Sequence, residues 1–333
     1  MKTSLSKTSI IQLLLFIVVV LLVLNIIVEK YSCPESPSTA KEISSQVINK
    51  KFLIALNNYN LDSSWISKRV LSKNRDDSLK YFYIVKVPAD LPISLLINEI
   101  KNQFDTNEVN IYAADLNSDA STEIKITSAG FFKLKAILNN RGVIRRQADS
   151  IAFLLTGIES LNSENLNELL MLPEKFACAL IPSKQAHELS NLLNENHKQI
   201  AVILNDDITE LEFKLNKNYS NNRIRNSLKS ISGKFNHAAF FIIDENSDVY
   251  KSQHYKSIKD WFAKKRIVPE NYFKEISFSS PENTFSLLKD EAKSQHLFRI
   301  SAEKFLEILP VLASLRKIGD KIVYPSELIK PVN

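Results

Sequence analysis

Acidic side chains follow three apolar segments in the second half of this 333-residue chain. Glu159 comes after IAFLLT, Asp206 and Asp207 come after QIAVIL, and Asp244 and Glu245 come after FFII. Short apolar segments bounded by polar turns are typical of buried parallel strands, whose carboxyl ends meet at one edge of a sheet. Carboxylates at that edge can hold a hard cation or accept hydrogen bonds from sugar hydroxyls. They can equally cap loops and helix starts, so both interpretations stay open.

The five histidines are poorly placed for a metal site. His187 lies inside a predicted helix, whereas His197, His237 and His296 directly precede strands, at the edge opposite to the carboxylates. Only His254 falls in a loop beyond a strand. A zinc site that ionises water needs several protein ligands and one open position, so a single imidazole is not a ligand set. We therefore predict no metal, no cofactor and no catalytic residue. The five carboxylates remain the candidate ligand-binding residues.

Motifs for nucleophilic and nucleotide chemistry are missing as well. Cys178 lies in the middle of the apolar segment FACALI, which predicts a buried free thiol rather than a nucleophile or a disulfide partner of Cys33. The chain has only five glycines and no glycine-rich phosphate loop. A basic segment around Tyr255 and Ile258 is best explained as a solvated helix face over a core stripe. Trp261, beside it, is a possible platform for stacking a sugar ring.

The N-terminus predicts a membrane anchor. Residues 10–28, IIQLLLFIVVVLLVLNIIV, are long enough to cross a hydrocarbon core of about 30 Å as a helix. Lys2 and Lys7 precede them without an acidic residue, which predicts that residues 1–9 are cytoplasmic. No small-residue cleavage site follows, so we predict an uncleaved signal anchor in the inner (cytoplasmic) membrane, crossing once. The bulk of the chain is then periplasmic, and this compartment disfavours nucleic acid as a partner.

Two folded units are predicted beyond a polar tether at residues 29–50. Residues 51–140 read as a strand, a helix with Pro92 in its first turn and three further strands, which indicates a small α+β domain. Residues 150–330 alternate apolar strands with amphipathic helices, which indicates an α/β unit with a parallel sheet covered by helices. Three of these strands, IAFLLT, FACALI and QIAVIL, are predicted to be adjacent and parallel. A helix with Ser163 as its cap follows the first of them.

The order of these elements resembles the divergent polysaccharide deacetylases. IAFLLTGIES, the Leu-Pro step at 172–173, FACALIP, the His-Glu-Leu step at 187–189 and QIAVIL are similar to the opening of that family. FLEILPVLASLRKIGDKIVYPSEL is similar to its last helix and strand. The resemblance covers residues 150–328. It implies an irregular (β/α) barrel of the glycoside hydrolase and deacetylase type, which acts on, or descends from enzymes that act on, N-acetylated polysaccharides.

The same resemblance implies that the catalytic positions have changed. The family's first strand ends in two aspartates, a base and a metal ligand, where this chain has Thr156 and Gly157. The ligand histidine of the third strand corresponds to Ile203, and the closing histidine region corresponds to FRISAEK. We therefore predict a non-catalytic, membrane-anchored protein of the cell envelope, a pseudoenzyme that binds glycan or scaffolds envelope proteins. The alternative is an active deacetylase, or another carbohydrate hydrolase, with a rearranged metal site.

Overall fold

The computed structural model describes residues 20, 42–70, 80–116, 121–263, 265–276, 280–291 and 296–329. The predicted membrane span at residues 10–28 lies outside this set apart from Val20, and so do residues 1–9 and most of the predicted tether. Among the described residues, no helix has both the length and the apolar character that a membrane crossing requires.

The first unit is a five-stranded sheet covered on one face by two helices. The strands follow the order β1-β2-β5-β4-β3, in which β2 and β5 are parallel and the other pairs are antiparallel. Side chains of β2 alternate, so that Tyr81, Tyr83 and Val85 face the helices and are buried. The elements are α1 Ser45–Asn57, β1 Ile66–Val70, β2 Tyr81–Pro88, α2 Ile93–Asn102, β3 Asn110–Leu116, β4 Ser121–Ser128 and β5 Phe131–Arg141.

Helix α1 begins within the segment that the sequence predicts as a tether. The side chain of Ser44 accepts a hydrogen bond from the backbone N–H of Val47 and caps the helix start. Ile48, Phe52 and Leu56 recur at four-residue intervals and are completely buried against the sheet. This spacing places them on one helix face, and that face closes the core of the first unit.

The second unit is a parallel sheet with helices on its outer face. Its strand order is β10-β9-β8-β7-β6-β12-β11, and β13 pairs with the N-terminal end of β6. The predicted adjacency of β6, β7 and β8 is confirmed, because both pairs are parallel. The strands are β6 Ser150–Thr156, β7 Ala177–Leu180, β8 Gln199–Ile203, β9 Phe240–Ile243, β10 Arg266–Pro269, β11 Lys274–Glu275, β12 Leu297–Ser301 and β13 Lys321–Ile322. The helices are α3 Ser163–Met171, α4 Lys184–Glu195, α5 Asn221–Lys234, α6 Asp248–Lys251, α7 Tyr255–Trp261, α8 Pro281–Glu291, α9 Ala302–Glu307, α10 Leu309–Ile318 and α11 Pro325–Leu328.

The parallel sheet has to curl, because a short connection joins its two edge strands. β10 ends at Pro269 and β11 begins at Lys274, so four residues lead from one edge of the sheet to the other. An extended chain covers about 18 Å in five residue steps. Six inter-strand spacings in a flat sheet would cover about 29 Å. The two edge strands do not pair with each other, so the sheet is a curled half-barrel with an open seam.

The two faces of the curled sheet carry different side chains. The outer face packs under the helices with large residues such as Phe153, Phe241 and Phe298. The inner face is lined by smaller residues, among them Ala152, Ala177, Ala179 and Ala201, and by the stacked rings of Phe240 and Phe273. Helix α11 closes the N-terminal end of this interior, where Gln199 Nε2 donates to Ser326 Oγ at 2.6 Å. Helix α11 therefore covers the amino-terminal end of the interior, and the carboxyl ends of the strands form its mouth.

Three helix predictions need correction. The segment AEKFLEILPVLASLRK is two helices, α9 and α10, because Pro310 has no N–H to continue a single helix. The cap of α3 is Asn162 rather than Ser163, since its side chain accepts the N–H of Asn165 at 2.8 Å. The basic segment at residues 250–266 is not one helix. It contains the end of α6, the short helix α7 and the start of β10, which the sequence pattern did not reveal.

Arg146 joins the two units. It lies in the connection between them and is buried. Its Nε donates to Asp90 Oδ2 at 2.7 Å in the first unit. Its Nη1 donates to the carbonyl oxygen of Tyr59 at 3.1 Å and to that of Lys317, at the end of α10, at 2.7 Å. Lys317 Nζ in turn donates to Glu99 Oε2 at 2.8 Å. One buried guanidinium thus contacts both units at once.

Candidate functional site

The carboxyl-end mouth of the curled sheet is the candidate site, and the pleat of the strands decides which side chains enter it. In β6, Thr156 lies on the inner face with Ala152 and Leu154, because alternate residues of a strand share a face. In β8, half-buried Ile203 packs against the same inner cluster. In β12, Arg299 shares the inner face with Leu297. These residues lie at the strand ends where the closed interior opens.

The resemblance to the deacetylases aligns three positions, Thr156, Gly157 and Ile203, with that family's base and metal ligands, and none of the three carries an ionisable group. Thr156 is half-buried, and Ile203 packs on the apolar floor of the mouth. Gly157 follows β6 with a φ of 69°, in the left-handed region that favours glycine, and starts the turn at Ile158–Ser160. Ser160 Oγ closes that turn by donating to the Gly157 carbonyl at 2.7 Å. The strand end is therefore shaped as a tight turn with a hydroxyl beside it.

Arg299 is a site residue that sequence reasoning missed. Its guanidinium hydrogen-bonds Glu270, which follows β10, and its Nη2 lies 3.2 Å from Glu275 Oε2 in β11. The side chain of Arg299 is 27% exposed and that of Glu270 is 31% exposed, so most of each side chain is shielded from water. The sequence did contain a signal for it. Arg299 is a charged residue inside the apolar strand HLFRI, two positions after Leu297 and therefore on the same face.

Asp206 lies at the predicted edge, but both oxygens of its carboxylate accept hydrogen bonds from backbone N–H groups. Its Oδ2 accepts the N–H of Asp248 at 2.5 Å, and its Oδ1 accepts the N–H of Val249 at 3.1 Å. These are the first two N–H groups of α6, which have no partner within the helix. Asp248 itself forms an ion pair with Lys217, 2.7 Å between Nζ and Oδ2. Asp206 therefore fixes the loop after β9 to the loop after β8.

The next two predicted residues make local turns. Asp207 Oδ2 accepts a hydrogen bond from Asn205 Nδ2 at 2.9 Å, and Asp207 remains exposed. Asp244 Oδ1 accepts the backbone N–H of Asn246 at 2.8 Å and is half-buried. The Asp244 contact is an Asx turn, whereas the Asp207 contact joins two side chains, and each uses one carboxylate oxygen. The other oxygens stay available as hydrogen-bond acceptors at the mouth.

Glu245 and Glu159 complete the predicted set, in different ways. Glu245 accepts a hydrogen bond from the side-chain amide of Asn271, which links the loop after β9 to the loop after β10. Glu159 is half-buried in the turn after β6, and its side chain has no hydrogen-bond partner among the described residues. The loops after β8, β9 and β10 are thus tied to one another, whereas Glu159 stands apart from them.

Metal ligation would require the acidic side chains to converge further. In the described ranges, no three His, Cys, Asp or Glu residues are grouped closely enough to hold a metal ion. What the mouth does contain is a ring of acceptors with Arg299 and Asn271 as donors. Such a ring can orient a neutral, hydroxyl-rich ligand by hydrogen bonds. Cys178 takes no part, because it is buried on the outer face, as predicted, and burial raises the pKa of its thiol well above the ordinary value.

His254, which the sequence indicates in a loop beyond the carboxyl end of a strand, does not lie at the mouth. His254 precedes α7 and is 3% exposed, beneath the helix layer on the outer side of the sheet. The prediction that it lies at the carboxyl edge of the sheet is therefore wrong. The loop that contains it turns outwards through Ser252, whose Oγ accepts the His254 N–H at 3.2 Å. His187 lies inside α4, as predicted, and packs edge-on against Phe235.

Comparisons with known proteins gave structural neighbours only. No family model matches the chain, and no curated protein matches it. One solved structure, a BA3943 mutant described as a CE4 family pseudoenzyme with restored enzymatic activity, has a TM-score of 0.39 and 11% identity. A second BA3943 mutant, described as a CE4 family pseudoenzyme, has a TM-score of 0.37 and 10% identity. Each match covers 70% of this chain and 97% of that chain.

Both neighbours are forms of one CE4 family pseudoenzyme. At 10–11% identity the likeness concerns the course of the chain and does not assign a role to any residue. The chemistry of the mouth is therefore argued from the side chains that this chain places there.

Proposed function

We propose that this protein is a non-catalytic, deacetylase-like protein of the cell envelope, anchored in the inner membrane, that binds a glycan at the carboxyl-end mouth of its curled sheet. One observation carries the proposal. The strand-end positions where metal-assisted deacetylation needs a carboxylate and an imidazole hold a hydroxyl, a hydrogen and a sec-butyl group, at Thr156, Gly157 and Ile203. The hydroxyl is at most one neutral ligand, the other two groups are none, and no member of the set can take a proton from water near neutral pH.

The remaining polar groups favour sugar hydroxyls as the ligand. A hydroxyl both donates and accepts, so a site for it needs both kinds of partner. The mouth offers carboxylate acceptors at Asp207 and Asp244, and it offers donors at Arg299 and Asn271. A polymer rich in carboxylates would instead meet several like charges at this rim, and like charges repel. An envelope protein is the alternative partner, and it becomes the preferred one if no glycan binds.

Membrane anchoring is supported by the sequence. Residues 10–28 have the length and apolar character of a single span, and Lys2 and Lys7 place the short N-terminal segment in the cytoplasm. An anchor of this kind would hold the curled sheet close to the outer surface of the inner membrane. A glycan-binding mouth there can reach envelope polymers without diffusing away from the membrane.

The test uses the full-length protein, which is expected intact in the membrane fraction. We expect the purified protein to contain no stoichiometric zinc and to release no acetate from an N-acetylglucosamine tetrasaccharide. We expect it to bind that tetrasaccharide, and Asp207→Ala and Glu270→Gln each to raise the Kd about tenfold, since an unpaired hydroxyl costs about 1.4 kcal/mol. Glu195→Gln serves as the matched control, because this exposed residue lies in the last turn of α4, which leads to the amino-terminal end of β8.

Two outcomes would contradict the proposal. Binding that is equal in Asp207→Ala, Glu270→Gln and the Glu195→Gln control would place the ligand away from the mouth. Metal-dependent acetate release that disappears in a double variant of Asp206 and Asp207 would show a rearranged metal site, and the protein would then be an active deacetylase. A chain recovered from the soluble fraction with its N-terminus beyond residue 28 would contradict the anchor alone.

A further inference from the structure

A second pocket lies between two helices on the outer side of the sheet, away from the inner face that leads to the mouth. Its volume is about 440 Å³, which is within the range of small-molecule sites. Helix α5 contributes four residues at the spacing of a single helix face, and the turn before α7 and α7 itself contribute the opposite wall. The lining residues are Asn221, Ile224, Arg225, Leu228, His254, Ser257, Asp260 and Trp261.

The floor and one wall of this pocket are apolar. Ile224 and Leu228 are both 2% exposed, and they belong to the core between the helices and the outer face of the sheet. Trp261 is 38% exposed, and its indole N–H donates to Ser232 Oγ on α5 at 3.3 Å. This hydrogen bond ties α7 to α5 and fixes the indole, so one aromatic side chain is held rigidly at the edge of an apolar floor.

The rim supplies both donors and acceptors that no residue in the described part of the chain uses. Among the described residues, the side chains of Asn221, Arg225 and Asp260 have no hydrogen bond or ion pair. Ser257 adds an exposed hydroxyl. His254 is 3% exposed, and its Nε2 has no hydrogen-bond partner in the described part of the chain. A buried polar atom without a partner is uncommon in a folded protein and indicates a missing water or ligand.

We infer that this outer pocket binds a sugar unit, whose apolar ring face packs against Trp261 and whose hydroxyls pair with Asn221, Arg225 and Asp260. A pyranose ring has one apolar face and a rim of groups that both donate and accept, and the pocket has a matching aromatic wall and mixed rim. A simple anion would leave Asp260 unpaired, and a purely apolar ligand would bury three unpaired polar side chains. The pocket therefore gives the protein a glycan contact that is independent of the mouth.

The chain offers a direct optical test, because it contains only two tryptophans, Trp65 and Trp261. In the full-length Trp65→Phe variant, Trp261 is the sole tryptophan and reports on the pocket alone. The probe is the N-acetylglucosamine tetrasaccharide, in a detergent without a sugar headgroup where one is needed. We expect saturable blue-shifted emission and weaker quenching by acrylamide, because a stacked sugar shields the indole from water.

Variants on the wild-type background then locate the binding by calorimetry. We expect two tetrasaccharide sites per chain, and Trp261→Ala to remove one of them. Trp261→Phe keeps a ring and should weaken that site only a few fold, whereas Asp260→Asn should weaken it about tenfold. Lys259→Ala changes an exposed neighbour that does not line the pocket, and it should leave both sites within twofold. Thermal melting of each variant checks that the fold is retained.

The outcomes separate this inference from the proposed function. Unchanged Trp261 emission at saturating tetrasaccharide, or a Trp261→Ala variant that binds like Lys259→Ala, overturns the outer pocket and leaves the mouth untouched. Loss of one site in Glu270→Gln together with a normal Trp261 response supports both sites. A normal Trp261 response with no effect of Glu270→Gln keeps the outer pocket and contradicts the mouth.

Discussion

At the scale of single residues, burial sets the ionisation of Asp320, which follows α10. The carboxyl group is 8% exposed, and its Oδ1 accepts the backbone N–H of Asp149 at 3.1 Å. Burial raises the pKa of Asp320 above its ordinary value, and the hydrogen bond from Asp149 opposes this only in part. The ionised side chain is therefore less favourable in the folded protein than in the unfolded chain.

We expect Asp320→Asn to stabilise the protein at pH 7. Because the pKa of Asp320 in the folded state is raised, the cost of ionising it is absent below the unfolded value of about 4, grows between that value and the folded value, and is fully present above the folded value. The amide keeps an oxygen for the Asp149 N–H. Calorimetric melting should therefore show a gain at pH 7 and little change near pH 3. An equal shift at both pH values would mean that the carboxyl group is not responsible.

The five predicted carboxylates illustrate what a sequence can and cannot place. Their position after the strands followed from the alternation of strands and helices, and each does follow its strand. Their hydrogen-bond partners could not be predicted from the sequence. The hydrogen bonds of Asp206 to residues 42 and 43 positions later depend on how two loops meet. Arg299 was missed for a related reason. Its partners Glu270 and Glu275 flank or belong to strands of four and two residues, which are too short to give a readable period.

At the scale of elements, Asp206 supports the short helix α6 from another loop. The helix has four residues, and its own cap is Ser247, whose side chain accepts the N–H of Tyr250. The two N–H groups that Ser247 leaves open, of Asp248 and Val249, are both taken by Asp206. Within the described ranges, the side chain of Asp207, one position further, has a hydrogen bond only with Asn205, two positions earlier. From the sequence alone these two aspartates look equivalent, whereas the structure separates them.

We expect Asp206→Ala to lower the free energy of unfolding by about 1 kcal/mol, which is the usual cost of losing a helix cap. Asp206→Asn keeps one acceptor oxygen and should lose about half as much. Asp207→Ala should stay within about 0.5 kcal/mol of the wild type, as exposed side chains usually do. Urea unfolding measures all three. Equal losses at the two positions would contradict the capping role, and they would make Asp207→Ala unsuitable as a clean probe of ligand binding.

The helices show the same division between pattern and context. α2, α4 and α5 were predictable, because each has apolar residues at helical spacing. Pro92 precedes α2, whereas Ser183 and Ser220 cap α4 and α5. α1 was assigned to the tether, since the polar residues around Ser44 conceal the apolar positions Ile48 and Phe52. The strand β10 was hidden inside a basic segment, because its lysine and arginine neighbours read as one helix face. Its strand character comes from pairing with β9.

At the scale of the whole molecule, a closely packed junction connects the two units. Gly319 ends α10 with a φ of 113°, and a Cβ at this position would lie 3.3 Å from the Arg146 guanidinium. The close approach of Arg146 to the end of α10 therefore depends on a glycine there. The guanidinium also donates to the carbonyl oxygen of Lys317 in the last turn of the helix, where a positive charge is favourable. The junction holds the first unit against the sheet that carries the mouth.

The carboxyl groups of the junction make it sensitive to acid. Burial alone would raise the pKa of Asp90, but hydrogen bonds from Arg146 outweigh burial and hold the pKa below the ordinary value. Burial would also raise the pKa of Glu99, and hydrogen bonds from Lys317 and Asn58 lower it in the same way. Because both folded-state values are depressed, their stabilising contribution is present above the unfolded values of about 4. It is lost as the pH falls through the folded values.

We expect Arg146→Ala to uncouple the two units at pH 7. The change removes the donors to Asp90 and to two backbone carbonyls, so the free energy of unfolding should fall by about 2–4 kcal/mol. The calorimetric transition should split, because each unit has a core of its own.

Arg145→Ala is the matched control, since this neighbouring arginine is exposed and should change stability by less than about 0.5 kcal/mol. The difference between the two variants should shrink as the pH falls through the depressed folded-state pKa of Asp90, because the protonated carboxyl group no longer forms an ion pair with Arg146. A single transition in Arg146→Ala, or a difference from Arg145→Ala that does not depend on pH, would mean that the units are coupled by packing rather than by this guanidinium.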